Sequence, residues 1–173
     1  DSLKRLASAT NPERGTITYY YDANGNLTRK IDARGAVTCF GNLSGSTCDG
    51  SGYDALNRST FKSYSATSPA TPSVSWTWGT TAPQVGRLVS VTSPPSTTTF
   101  GGYDALGRPG SSTQTTAGGN GSGYTFSYQY YPIGLKTTGY PSGRSLTYSY
   151  DSDGRPTGVT GSMNGVPTNY ATS

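Results

Sequence analysis

Tyr103-Asp104-Ala105-Leu106-Gly107-Arg108 is the stretch that decides the fold, because the chain repeats it. Tyr21-Asp22-Ala23-Asn24-Gly25-Asn26-Leu27, Tyr53-Asp54-Ala55-Leu56-Asn57-Arg58 and Tyr150-Asp151-Ser152-Asp153-Gly154-Arg155 are further copies of one pattern, Y-D-x-x-G-[R/N], with Asn57 replacing glycine in the second. Asp1-Ser2-Leu3-Lys4-Arg5-Leu6 adds a copy without its tyrosine and with lysine in the glycine position. Aspartate at the first position of a turn accepts a hydrogen bond from a backbone N–H two residues on. Glycine at the fourth supplies the positive φ that closes a type I turn with a bulge. The candidate structural residues are therefore Tyr21, Asp22 and Gly25; Tyr53 and Asp54; Tyr103, Asp104, Gly107 and Arg108; and Tyr150, Asp151, Gly154 and Arg155. Asp32-Ala33-Arg34-Gly35 carries the same turn chemistry without a tyrosine.

The segments between the turns alternate. In Tyr124-Thr125-Phe126-Ser127-Tyr128-Gln129-Tyr130 four rings fall on one face and three polar side chains on the other. Ile17, Tyr19 and Tyr21, then Val74, Trp76 and Trp78, then Leu146, Tyr148 and Tyr150 repeat that spacing. A period of two is the signature of half-buried strands, and antiparallel pairing is the arrangement that tolerates it. Helix is disfavoured by 24 Gly, 11 Pro and abundant Ser and Thr. The expected fold is all-β: antiparallel hairpin repeats of about 10–14 strands forming a twisted ribbon, with both faces partly polar.

Composition agrees with a sheet built on tyrosine. Leu, Ile, Val and Phe are scarce, but 14 Tyr and 2 Trp supply apolar area, and a net charge of only +4 argues against disorder. The nine arginines are scattered, so no phosphate-binding stripe marks a nucleic-acid interface. No apolar run has the length of a membrane span. Stacked hairpins are expected to bring the tyrosine rings into a ladder, with Asp–Arg pairs along an exposed rim as the weaker contribution.

The repeats resemble the YD/RHS family, found in bacterial polymorphic toxins, insecticidal toxin complexes and animal teneurins. The motifs that carry the likeness are YDANGNL, YDALNR, YDALGR and Tyr140-Pro141-Ser142-Gly143-Arg144 followed by LTYSYD. The resemblance implies a continuous ribbon that spirals into a hollow shell around a polypeptide cargo. It implies a secreted or cell-surface protein in which residues 1–173 are one run of repeats beginning and ending mid-repeat, with flanking repeats of the same parent chain as neighbours. No Asp-Pro dipeptide of the family's self-cleaving segment occurs.

A catalytic role is not expected. The chain has no histidine, and most carboxylates stand in turn positions that explain them. No cofactor or metal is expected. Asp151-Ser152-Asp153-Gly154 begins like a calcium loop but lacks its later ligands, and Gly118–Gly123 lacks the lysine and helix of a phosphate loop. Cys39 and Cys48 are too far apart for a metal knuckle; they read as a local disulfide or as two thiols. Two other roles stay open. Trp76 and Trp78 offer rings on which sugars stack, making a carbohydrate-binding surface. Exposed edge strands invite homo-oligomeric pairing into a fibre or tube.

Overall fold

The computed structural model describes residues 1–65, 69–119, 121–163 and 165–172. It contains sixteen strands: β1 Ser8–Asn11, β2 Gly15–Tyr21, β3 Leu27–Ile31, β4 Val37–Cys39, β5 Leu43–Ser44, β6 Thr47–Cys48, β7 Phe61–Tyr64, β8 Val74–Trp78, β9 Leu88–Ser93, β10 Ser96–Gly101, β11 Ser111–Thr116, β12 Tyr124–Tyr131, β13 Gly134–Gly139, β14 Arg144–Tyr150, β15 Pro156–Met163 and β16 Val166–Thr172. Fourteen form one sheet in chain order, and β5 with β6 makes a separate two-stranded ribbon. No helix is present among the described residues. The all-β expectation holds.

The chain divides into two compact units, residues 1–77 with 91–95 and residues 78–90 with 96–173. In the first, β1 to β4 pair antiparallel in succession and β4 passes to β7 across the β5–β6 ribbon. In the second, β10 to β16 form an uninterrupted antiparallel meander. Within each unit the Asp22 and Asp151 turns lie at one end of the strands. The Asp32–Gly35 and Tyr140–Gly143 turns lie at the other.

Burial follows the alternation. Along β12, Phe126, Tyr128 and Tyr130 are half-buried while Thr125, Ser127 and Gln129 face water; Tyr124 departs from its face by standing exposed at the strand's start. In β14, Leu146, Tyr148 and Tyr150 alternate with exposed Thr147 and Ser149. Little is fully withdrawn from water. Among the described residues the buried apolar side chains are Val37 and Cys39. Among the described residues no larger apolar core assembles.

The turns share one backbone form. At Asp22 the residue's N–H donates to the Asn26 carbonyl at 3.0 Å, and Gly25 N–H donates back to the Asp22 carbonyl at 3.1 Å. The same pair of bonds closes the turns at Asp1, Asp32, Asp54, Asp104, Tyr140 and Asp151. The fourth position is left-handed throughout, with φ of 88° at Gly25 and 82° at Gly107. Lys4 and Asn57 hold φ of 60° and 59° at the same position, so the sequence-level alignment of both is correct. The register then slips by one residue where β2 meets β3 and where β14 meets β15, the bulge that such a turn produces. Leu3, Leu56 and Leu106 at the third position are exposed tips, outside any packed layer.

Two substitutions separate the backbone requirement from packing. A Cβ at Gly25 meets nothing within 4 Å, so Gly25→Ala is expected to destabilise by about 1 kcal/mol from φ alone. Gly107→Val adds a β-branched residue whose Cβ runs into the Arg87 guanidinium, and is expected to cost more than Gly25→Ala. Chemical denaturation of the two variants checks both the sign and the order.

Candidate functional site: the clasp between turns

Each repeat aspartate is consumed by its own turn. Asp54 Oδ1 accepts N–H bonds from Leu56 and Arg58, both at 2.9 Å, while Oδ2 accepts from Arg58 Nε at 2.7 Å. Asp1 does the same with Leu3, Arg5 N–H and Arg5 Nε, and Asp151 with Asp153, Arg155 N–H and Arg155 Nε. At Asp104 the partners are Arg108 N–H and Nε, at 2.9 and 2.8 Å. Asn26 takes the arginine's place beside Asp22, donating through its N–H at 2.8 Å and Nδ2 at 2.9 Å. These donors favour the charged carboxylate. At Asp54 the Arg58 side chain leads, at Asp104 and Asp151 the backbone N–H of Arg108 and Arg155, and all three pKa values lie below the ordinary range. Asp22 is lowered too: slight burial opposes, and the Asn26 donors outweigh it.

The held arginine then reaches forward. Arg5 lies over the Tyr21 ring, 4.8 Å from its centroid, and Nη1 donates to the Asp22 carbonyl at 2.9 Å. Arg108 lies over Tyr130 at 4.4 Å and Nη1 donates to the Tyr131 carbonyl at 2.9 Å. The tyrosine answers from the other side. Tyr21 donates its hydroxyl to the Leu6 carbonyl at 3.0 Å, Tyr53 to Leu27 at 2.9 Å, Tyr103 to Leu88, Tyr130 to Pro109 at 3.0 Å and Tyr150 to Leu135 at 2.9 Å. Four of those carbonyls belong to the residue just after Arg5, Asn26, Arg87 or Arg108, and the fifth to the residue after Gly134. Aspartate orients arginine, arginine holds the next tyrosine, and tyrosine bonds back to the strand that follows the arginine.

This arrangement corrects the expected tyrosine ladder. Among the described residues no two of Tyr21, Tyr53, Tyr103 and Tyr150 stack on one another. The ring pairs are Phe40–Tyr53, Phe126–Tyr140 and Tyr131–Tyr150. Tyr103 follows β10 and Tyr150 ends β14, four strands on, and the ring two strands beyond a turn arginine is Tyr21 for Arg5 and Tyr130 for Arg108. The Asp–Arg pairs, expected on an exposed rim, differ in how far they are withdrawn from water. The side chains of Arg5, Arg58 and Arg108 are only 26–28 % exposed, whereas Arg34 and Arg155 are largely in water.

Two turns serve as internal comparisons. Tyr140 replaces aspartate before Arg144; the backbone bonds survive, but Arg144 Nε is buried with no acceptor. Arg87 follows Gly86 without a turn aspartate, lies over Tyr103 at 5.7 Å, and also leaves its Nε buried and unpaired. The aspartate therefore serves the arginine more than the turn. The sequence reading missed Arg5, Arg87 and Tyr130 as clasp residues. Their signal is the recurring pair after the turn: Arg5-Leu6, Asn26-Leu27, Arg87-Leu88 and Arg108-Pro109.

The remaining candidates are placed as follows. Cys39 in β4 and Cys48 in β6 are joined as a disulfide with their Cα atoms 5.5 Å apart. Trp76 and Trp78 are half-buried in β8. Asp151 and Asp153 both pair with Arg155, and no group of three or more His, Cys, Asp or Glu assembles among the described residues. Asn120 of the Gly118–Gly123 loop lies outside the described residues.

Residues 1–37 and 132–162 match the RHS repeat family model. The structure is similar to the crystal structure of TcdB2-TccC3, with a TM-score of 0.75, 15 % identity and 96 % of this chain covered. It is similar also to the Photorhabdus luminescens Tc holotoxin pore, with a TM-score of 0.76, 16 % identity and 99 % covered. The chain spans 9 % of the length of each of those chains. No curated protein matches the sequence.

The lowered carboxylate pKa values give a pH prediction with a definite sign. An aspartate whose folded pKa lies below its unfolded value contributes stability above the unfolded value, about 4, and loses it as pH falls through the folded one. Asp22, Asp32, Asp49, Asp54, Asp104 and Asp151 all shift this way, and no histidine titrates in between. Thermal unfolding is expected to be flat from about pH 5 to 7 and to fall steeply below about pH 4. A Tm that climbs on acidification from pH 5 to 3 would contradict the clasp chemistry.

Proposed function

For a chain that carries RHS/YD-type repeats and shares its fold with Tc toxin chains, we propose a mechanical role: its strands are a section of wall in a larger shell that encloses polypeptide cargo. The observation that carries this reading is the fastening of one hairpin to the next in a sheet whose buried apolar side chains, among the described residues, are Val37 and Cys39. Successive turns are fastened to one another by side chains and backbone, so strands add in series and stability grows by neighbour contacts, as in other repeat proteins. A wall one sheet thick is wet on both faces, which suits strands whose residues are mostly half-buried and seldom fully buried.

The natural neighbours are flanking repeats of the same parent chain, paired along β1 and β16, the two outer strands of the sheet. The role needs no catalytic residue, cofactor or metal, and it fits a secreted or surface-exposed protein. β1 is exposed at all four residues, which also favours a second reading, assembly of copies into a fibre by edge-strand pairing.

Electron microscopy of these repeats together with their flanking sequence separates the two. Closed hollow particles, with an internal segment resistant to added protease until the wall is unfolded, are the expected result. Filaments that lengthen with protein concentration would replace the shell with the fibre.

A further inference from the structure

The clasp has a vacant member. Tyr21, Tyr103 and Tyr130 each carry an arginine over the ring, at 4.8, 5.7 and 4.4 Å, and each arginine immediately precedes the residue whose carbonyl accepts the tyrosine hydroxyl. Tyr150 makes the same backward bond, to Leu135, but the preceding residue is Gly134. The hairpin here is Tyr131-Pro132-Ile133-Gly134-Leu135, in which Tyr131 pairs with Gly134, so a glycine stands directly before the acceptor where Lys4-Arg5-Leu6, Gly86-Arg87-Leu88 and Gly107-Arg108-Pro109 carry an arginine. Among the described residues no cation stands over Tyr150. In that place lies an open cavity of about 450 Å³ lined by Tyr131, Pro132, Ile133, Ser149 and Tyr150.

We propose that this cavity is a binding site for an arginine side chain of another polypeptide segment, which would occupy the slot that Arg5 and Arg108 fill at their own repeats. The occupant's chemistry is set by those siblings. Arg5 uses a ring face and the carbonyl of the residue after the tyrosine, Asp22, which also accepts from Gly25 N–H. At Tyr150 the equivalent carbonyl is that of Asp151, which accepts from Gly154 N–H at 3.1 Å and keeps its second lone pair for a guanidinium. The second ring of the cavity, Tyr131, stands edge-on to Tyr150 at 6.2 Å and already has Lys136 Nζ 5.4 Å from its centroid, so the Tyr150 face is the one on offer. A planar guanidinium stacks on a ring and bonds in its own plane at once, which an ammonium does not do. The site goes beyond the wall role and stands whether or not the parent chain forms a closed container.

The test is an NMR titration of the chain with N-acetyl-arginine amide, and with N-acetyl-lysine amide as comparison. Saturable shifts at the Ile133 methyls and the Tyr150 ring are expected, with a weak Kd on the order of 100 mM, as suits a single cation–π contact. Arginine should bind at least about threefold more tightly than lysine. Inserting one arginine between Gly134 and Leu135 restores Gly-Arg-Leu, provides an internal occupant, and is expected to abolish the response while Tyr150→Phe retains it. Equal shifts with the two amides, shifts that miss Ile133 and Tyr150, or undiminished binding to a folded insertion variant would each overturn the assignment. The comparison of amides on the unmodified chain decides the matter even if the insertion does not fold.

Discussion

The structure depends on an arginine that is held by one turn and used by the next. A guanidinium free to move would give up several rotatable bonds to stack on a ring and donate to a distant carbonyl. Here the turn aspartate removes most of that cost in advance. Its Oδ2 fixes Arg5, Arg58 or Arg108 by Nε at 2.7–2.8 Å, and its Oδ1 is already bound to the arginine's own N–H. At Arg5 and Arg108 the rest of the guanidinium points across two strands to Tyr21 and Tyr130. The tyrosine hydroxyl returns the connection. A hydrogen bond of this kind contributes about 1 kcal/mol, more when one partner is charged, and the ring contact about 0.5–1 kcal/mol. Several such units in series stabilise a sheet that buries only Val37 and Cys39 among its described apolar side chains.

The departures from the pattern show which parts are separable. Tyr140 in place of aspartate leaves the backbone turn intact and strands Arg144 Nε. Asn26 in place of arginine keeps the aspartate satisfied but leaves Tyr53 to be covered by Phe40, whose ring is nearly parallel at 13°. Gly134 in place of arginine leaves the Tyr150 hydroxyl bond in being and opens a cavity against the ring. Turn, clasp and tyrosine bond are three devices, and the sheet continues past each of these departures.

Much of this was legible beforehand. The Asp…Gly turns, their bulges, the left-handed Lys4 and the strand alternation follow from one- to seven-residue patterns, because each rests on local backbone geometry. What could not be read from such windows is the partner of each tyrosine. Tyr21 and Leu6, or Tyr150 and Leu135, are fifteen residues apart and meet only after two strands have paired. Ring-on-ring stacking was the natural expectation for repeated tyrosines, but Tyr103 and Tyr150 stand four strands apart, and the ring that Arg108 reaches two strands on is Tyr130. The cavity at Tyr150 was illegible for the same reason: a glycine before Leu135 looks trivial until the arginines before Leu6, Leu88 and Pro109 are seen in place. The clasp connections add to the antiparallel ladders that set the register of consecutive strands.

The most direct measurement is a double-mutant cycle on Arg108 and Tyr130, with Arg108→Met, Tyr130→Leu and the pair compared by chemical denaturation. If the arginine of one turn secures the tyrosine of the next, the two changes share one interaction and the coupling energy is about 1 kcal/mol or more. Effects that add to within about 0.3–0.5 kcal/mol would mean the residues act independently, and would contradict the account.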